Sequence, residues 1–463
     1  MSACSAAQRD IAVGIAGTFD VENYGDLLFP IIAAAALVRR NARIRVVPFS
    51  ANGKSDMAWP FPVRPLEEMV ASLPTLSAML IGGGQIVRFD KGYPISVPAK
   101  VDLPFAYWLT PAVLAALMGK PVIWNAVGAS TGWPHSRWHD ELLRQAFAAS
   151  CFIGVRDAVS RDDLAKVAPG ADIHLMPDTV FGISRLWPLE EESVEFTHWR
   201  KSLGLEGSYV VIQANAAVGK YRSMIESVMA SMGKINAVIL PICWCHGDRA
   251  EKFPDLKGSV FLSREWLGPK LISEIIGRSE FTFASSLHAC ITALSYGVPA
   301  ASVWAPISAD RKYELLDEFE SVAHIDKKEA LFRLVHRGRR VEPRVTQYAE
   351  RLDRYWDEVT SLILRPPPEL GTLATTATLR WVAKACADHG RLGLTRTLAV
   401  RVRESLVGYF PNERVALRRC LSFVKHSVVT AFRRSARGTA SPASDPKVKI
   451  PPIPADGIAA GKP

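Results

Sequence analysis

The stretch EFTFASSLHACITALSYGVPAASVW (280–304) decides the fold. EFTFA reads as a buried strand. A Ser-Ser-Leu-His turn follows, then a short apolar helix, a Gly-Val-Pro break and a second apolar strand. Two apolar runs joined through a helix make the crossover unit of a parallel sheet. The turn sets His288 at the mouth of the helix. A lone histidine there is either a packed core residue or a group that handles an anion in a cleft, and the rest of the chain has to separate the two.

The same rhythm extends outward. Apolar runs at 209–215, 236–242 and 259–263 precede the stretch, with helical patterns at 219–232 and 267–277 between them. Beyond it the strand at 300–306 leads into a helical pattern at 310–319. A Pro- and acid-rich connector at 185–205 separates this set from an earlier one. There, strands are predicted at 11–17, 43–49, 78–83, 121–128, 151–155 and 172–176, and helices at 26–40, 104–118, 137–149 and 157–167. Runs that are apolar throughout and separated by helices imply parallel strands covered on both faces. The expected fold class is therefore α/β, with two Rossmann-like doubly wound lobes at 1–190 and 191–365. The pattern at 345–364 is expected to close the second lobe. A ligand is expected in the cleft between the carboxyl ends of the two sheets.

RPPPELG (365–371) ends this body. A basic helical appendage is predicted at 366–437 and a Pro/Ala/Ser-rich disordered tail at 438–463. The net charge of +10 belongs to these last residues. From Pro366 onward there are 16 Lys/Arg and 6 Asp/Glu, which leaves 40 of each sign in 1–365. The basicity thus speaks of where the protein sits more than of its chemistry. The arginine-rich helices mix apolar and basic residues at a spacing that suits an anionic membrane surface. A packed helical domain or a protein-binding arm are the alternatives. Nucleic acid is not expected, because no recognised module is present.

At 48% apolar and 22% charged, the 463 residues have the composition of an ordinary globular protein. MSACSAAQRD lacks the apolar core of a signal peptide. The longest apolar runs, at 31–38 and 105–119, fall short of the ~20 residues that cross a bilayer. The seven cysteines show no framework spacing and fit a reducing cytoplasm.

Six motifs carry candidate chemistry. In GTFDVENYGDLLF (17–29) a strand meets a helix, with Gly25 freeing the turn and Asp26 as the expected N-cap. In LIGGGQIVRFD (80–90), Gly82, Gly83 and Gly84 follow a strand without dinucleotide or P-loop spacing, and their amides could cradle an anion. In VRDAVSRDDL (155–164), Arg156 faces the cleft and could clasp a carboxylate or phosphate, with Asp157 or Ser160 as helix cap. In MPDTVF (176–181), Asp178 orients a basic partner such as Arg156 or caps a turn. PICWCHGDR (241–249) offers His246 and Asp248 to the cleft. Its C-x-C-H spacing is not a standard zinc pattern and no second ligand cluster follows, so no metal is expected. Finally, Ser285, Ser286 and His288 open a helix whose free amides attract anions, and Arg311 and Lys312 follow the next strand.

Taken together, the ordered set resembles the polysaccharide pyruvyl transferase family across roughly 11–330. The set is Asn23-x-Gly25-Asp26, Gly82–Gly84, Arg156-Asp-x-x-Ser, Pro-Asp178, Leu-His288-Ala with a downstream Gly-x-Pro, and Lys312. The resemblance implies a GT-B-like pair of lobes and transfer of pyruvate from phosphoenolpyruvate to a sugar, forming a ketal. By motif match, Arg156, His288 and Lys312 would be the catalytic and anion-binding positions. The chain departs from the pattern at Ser286, where many members carry arginine, and this leaves the donor more open than the fold. Phosphoenolpyruvate brings a carboxylate and a phosphate, which suits fixed cations and a histidine working near neutrality, and no cofactor is implied. The acceptor is a saccharide, often lipid-linked in such pathways, which implies a cytoplasmic enzyme peripheral at the inner face of the cell membrane. A nucleotide-sugar glycosyltransferase and a non-catalytic member of a polysaccharide assembly are the competing readings.

Overall fold

A computed structural model describes residues 10–55, 59–87, 108–129, 137–303 and 311–365. The predicted basic appendage and tail, and the 104–107 end of one predicted helix, lie outside the described residues. The first sheet contains β1 (Ile11–Ala16), β2 (Ile44–Ser50), β3 (Arg64–Pro65), β4 (Leu76–Ile81), β5 (Gly84–Val87), β6 (Val122–Ala129), β7 (Phe152–Val155) and β8 (Ile173–Leu175). Its order is β3-β2-β1-β4-β6-β7-β8, with β5 also on β6. The second sheet contains β9 (Tyr209–Gln213), β10 (Asn236–Leu240), β11 (Val260–Leu262), β12 (Phe281–Ala284), β13 (Ala300–Ser302) and β14 (Val322–His324), in the order β11-β10-β9-β12-β13-β14. Every pairing in both is parallel.

Both sheets are doubly wound, and the two Rossmann-like lobes are as expected. Each predicted apolar run forms a strand because a strand buried on both faces must be apolar at every position. The sequence pattern does not reveal β3, β5 or β14. These strands are two to four residues long and carry no apolar run of their own.

Three elements differ from the sequence reading. The 185–205 connector holds a helix, Val194–Leu203, capped by Ser193 and stopped by Gly204 in the left-handed region. It buries Phe196 and Trp199. The 310–319 pattern is a 3-10 helix, Arg311–Glu318. The long helix Pro343–Leu364, expected to close the second lobe, spans both: Arg344 and Tyr348 bond Glu318 of the second lobe, and the helix then reaches the first. Tyr355 Oη donates to Asn125 Oδ1 in β6 at 2.9 Å. Arg351 donates to the Leu175 carbonyl at the end of β8 (2.8 Å). Its apolar face recurs at three- and four-residue steps through Val345, Ala349, Leu352, Trp356 and Val359. That periodicity demands burial but does not say against which lobe.

One apolar cluster runs through both lobes, from Val13 and Leu28 to Ile275, Ile291 and Trp356. Two further clusters cover the outer faces of the first and second sheets. The lobes are also joined by polar contacts at the start of the first helix, Tyr24–Arg40. Tyr24 Oη bonds Ser273 and Thr292 of the second lobe (2.9 and 2.7 Å). The Tyr24 amide donates to the Ile242 carbonyl at 3.1 Å, and Asn23 forms a β-bridge with Cys243.

Candidate functional site

In a doubly wound sheet a ligand sits at the carboxyl ends of the strands, where the order reverses. In the first sheet this switch lies between β1 and β4, and in the second between β9 and β12. Between β1 and the first turn of the first helix lie Asn23, Gly25 and Asp26. The three glycines run from the end of β4 into β5, and Ser285, Ser286 and His288 run from the end of β12 into the first turn of the next helix. The most informative motifs therefore occupy the two switch points.

His288 lies in the first turn of the helix Leu287–Ser295, with its side chain 12% exposed. Its Nε2 is 3.4 Å from Arg156 Nη1 and 3.4 Å from Asp178 Oδ2, and the ring tautomer decides which contact is the hydrogen bond. Phe29 meets its ring edge-on, with centroids 5.2 Å apart. A Cβ at Gly25 would fall 2.0 Å from His288 Nδ1, so only glycine lets the first helix approach this ring. His288 is thus gripped by both lobes.

Arg156 follows β7 and is 2% exposed. It donates to Asp178 Oδ2 at 3.2 Å, and its Nε lies 3.6 Å from Asp157 Oδ2. The sequence reading aimed this guanidinium at the ligand. In the structure it is enclosed, and it braces Asp178 and His288. Asp178 is fully buried and accepts the Val180 amide at 3.0 Å. Burial would raise its pKa, but His288 and Arg156 outweigh that and hold it below the usual carboxylate value. Asp157 caps the helix Ala158–Val167 by accepting the Ser160 amide at 2.6 Å.

Asp26 is not the cap of its helix. Asn23 Oδ1 accepts the Gly25 amide at 3.2 Å and takes that place, while Asn23 Nδ2 donates to Asp26 Oδ2 at 2.8 Å. Asp26 retains some accessible surface but is hemmed in by protein. Burial raises its pKa, and His288, Thr18, His246 and Arg156 offset this only in part. A carboxyl group that holds its proton more readily than usual therefore lies near His288.

The glycine triplet follows from packing. Side chains at Gly82 and Gly83 would strike Phe19 and Phe29, and Gly84 has φ +80° and lies close to Asp26 Oδ1. The Gly82 amide already donates to the Ala16 carbonyl at 2.7 Å, so it is not free to cradle an anion. The serines are likewise engaged. Gln213 Oε1 accepts the amides of Ser285 and Ser286 (2.8 and 2.9 Å), and Ser286 Oγ caps the helix at Ala289. Gln213 Nε2 donates to Asp248 at 2.8 Å.

Asp248 was expected at the cleft but is fully buried, where it also accepts the amides of Ile242 and Cys243. Gln213 and Tyr313 went unread, although Tyr313 Oη donates to the Ser285 carbonyl at 2.6 Å. Both are ordinary polar residues whose importance depends on which strand end they meet. Lys312 is half-buried, its Nζ 5.1 Å from the Tyr313 ring, and Arg311 opens the same 3-10 helix.

His246 is exposed in the loop after β10, beside Cys243 and Cys245, whose sulfurs are 3.5 Å apart. Cys243 and His246 together draw the Cys245 thiol down to about 6, while the same contact and burial push Cys243 up. The Cys245 contact in turn raises His246. A separate cavity of about 320 Å³, lined by Ser184, Arg185, Tyr296 and Val345 among others, includes none of these residues.

Two Rossmann-like lobes built on parallel sheets thus meet over a histidine braced by a buried arginine–aspartate pair. The chain belongs to the polysaccharide pyruvyl transferase family, whose model matches residues 23–305. No curated protein matches it in sequence. Among solved structures it is similar to UDP-GlcNAc 2-epimerase from Methanocaldococcus jannaschii, at 11% identity and a TM-score of 0.45, over 71% of this chain and 92% of that one. It is also similar to UDP-GlcNAc 2-epimerase from Neisseria meningitidis bound to UDP-GlcNAc, at 11% identity and a TM-score of 0.44, over 81% and 100%. These likenesses are distant, and the two-lobe architecture stands on the sheet order itself.

Proposed function

We propose that this chain transfers pyruvate from phosphoenolpyruvate to two hydroxyls of a saccharide, forming a cyclic ketal and releasing phosphate. The observation that carries the reading is the meeting of His288, at the switch point of the second sheet, with the buried Arg156–Asp178 pair that follows β7 and β8 of the first. One acceptor hydroxyl gives its proton to a base and bonds to C2 of the donor while C3 gains a proton from an acid. The C–O bond to phosphate then breaks and phosphate leaves with the bonding electrons. The second hydroxyl adds at C2 and gives up its proton.

The reaction needs a proton donor and a proton acceptor. His288 and Asp26 take these roles, Asp26 being able to hold a proton because of its burial. Arg156 and Asp178 act through His288 by fixing its ring. Lys312 and Arg311 lie one strand further along the sheet and neutralise donor charge. The acceptor is lipid-linked, and the basic residues beyond Pro366 hold the enzyme at the anionic cytoplasmic face of the membrane. No helix among the described residues is long and apolar enough to cross a membrane.

The first experiment is a thermal-shift titration of the full chain with phosphoenolpyruvate and, in parallel, with uridine diphosphate sugars. A rise with phosphoenolpyruvate that His288→Ala diminishes supports the reading. A rise only with a nucleotide sugar overturns it in favour of glycosyl transfer. No response to either points to a non-catalytic member.

A further inference from the structure

The loop after β10 gathers three soft ligand groups that the transfer chemistry leaves unused. Cys243 and Cys245 place their sulfurs 3.5 Å apart, and the ligand atoms of Cys243, Cys245 and His246 all lie within 4.8 Å of one another. We propose that these residues form a three-ligand site for a divalent cation of the zinc class, with a fourth position left to water or a ligand oxygen.

The sulfur pair is already set for such a site, and the imidazole has about 1 Å or less to close. Zinc–sulfur bonds of ~2.3 Å and zinc–nitrogen bonds of ~2.0 Å place neighbouring ligands of a tetrahedron roughly 3.5–3.8 Å apart. The sulfurs are already close to that separation, and well beyond the ~2.05 Å of a disulfide. Thiolate and imidazole ligands select zinc over magnesium or calcium. Three protein ligands with one open place is the pattern of a reactive site more than of a structural one.

The ligand loop is held from behind. Asp248 accepts the Cys243 amide at 2.9 Å and the Ile242 amide at 3.1 Å, and is itself fixed by Gln213 and Asn215. The His246 amide donates to the Cys243 carbonyl at 3.1 Å, and Gly247 turns the chain with φ +89°. Such support orients ligands before the ion arrives. Access is open, since Cys245 is half-buried and His246 exposed. The same loop clasps the other lobe, with the Cys245 amide on the Glu22 carbonyl and Cys243 bridged to Asn23. A bound ion would therefore stiffen the joint that carries Asp26.

The test uses the full chain, reduced and stripped with a chelator, titrated with Zn²⁺ alone and separately with Co²⁺. One equivalent of zinc should bind and raise the melting temperature. Cobalt should give a thiolate charge-transfer band and the visible spectrum of a tetrahedral ion. Cys245→Ser should remove both signals. His246→Ala, a change at an exposed side chain that the fold tolerates, should weaken zinc at least about tenfold. Cys151→Ser, at an exposed cysteine of the first lobe, should leave one equivalent bound. Sub-stoichiometric binding by the wild type, a cobalt spectrum without the thiolate band, or unchanged affinity in both site variants would overturn the proposal. No donor or acceptor is needed, so the outcome is separate from that of the transfer reading.

Discussion

Replacing His288 by alanine removes one proton carrier and leaves the Arg156–Asp178 pair intact. Turnover should fall by about 10²–10⁴-fold with little change in melting temperature, read by phosphate release with a diol acceptor. Gly25→Ala should lose activity to a similar extent and stability as well, because the new methyl must displace the histidine ring. Asp178→Asn tests the brace. The variant should be less stable by about 3 kcal/mol near neutrality, since it leaves Arg156 buried against a neutral partner. Asp178 has a depressed pKa in the folded state, so its stabilisation is complete above the ordinary carboxylate pKa and is lost as pH falls through the folded value. Denaturant curves of wild type and variant should therefore begin to approach each other as pH falls below about 4 and meet only below the folded value.

At this scale the sequence shows residue types that stand beside strand ends. It does not show whether a charge faces the cleft or its own wall. His288 was legible because it opens a helix after a buried strand. The burial of Arg156 was not, since that depends on β6, β7 and β8 converging around it. β6 is irregular at this point: Ala126 has φ +50° and the register with β7 shifts between Trp124 and Val127. Such a bulge re-aims the strand end, and no local signal announces it.

Among the elements, the first helix joins the lobes through buried polar contacts. Tyr24→Phe removes two buried cross-lobe hydrogen bonds and leaves Ser273 and Thr292 without the phenol. Stability should drop by about 1–3 kcal/mol in a urea titration. Strands were readable because parallel strands between two helical layers must be apolar throughout. The Val194–Leu203 helix was not, because a proline and three consecutive glutamates precede it and only Phe196 and Trp199 carry its buried face. The final helix is readable as a helix, but its reach from Glu318 of the second lobe to Asn125 of the first is not.

Over the whole molecule, charge and chemistry are segregated. The body to residue 365 is balanced, and the excess of ten positive charges follows it. A chain ending at Arg365 should keep its melting temperature within a few degrees and lose sedimentation with phosphatidylserine vesicles, because each basic residue near an anionic surface contributes about 1 kcal/mol. Equal vesicle binding by the shortened chain would remove the membrane from the account.

The return of the Pro343–Leu364 helix to the first lobe also matters during synthesis. The strands of that lobe are complete at Leu175, yet the hydrogen-bond partner of Asn125 is Tyr355, and Arg40 bonds Asp357. On the ribosome, the amino-terminal lobe must wait for roughly another 170–190 residues before this face is covered. At typical elongation rates of 5–20 residues per second the delay is on the order of ten seconds or more. In that interval the apolar surface awaiting Leu352 and Trp356 is open to chaperones and to aggregation. A nascent chain stalled before this helix emerges should therefore be more sensitive to protease than one released after it.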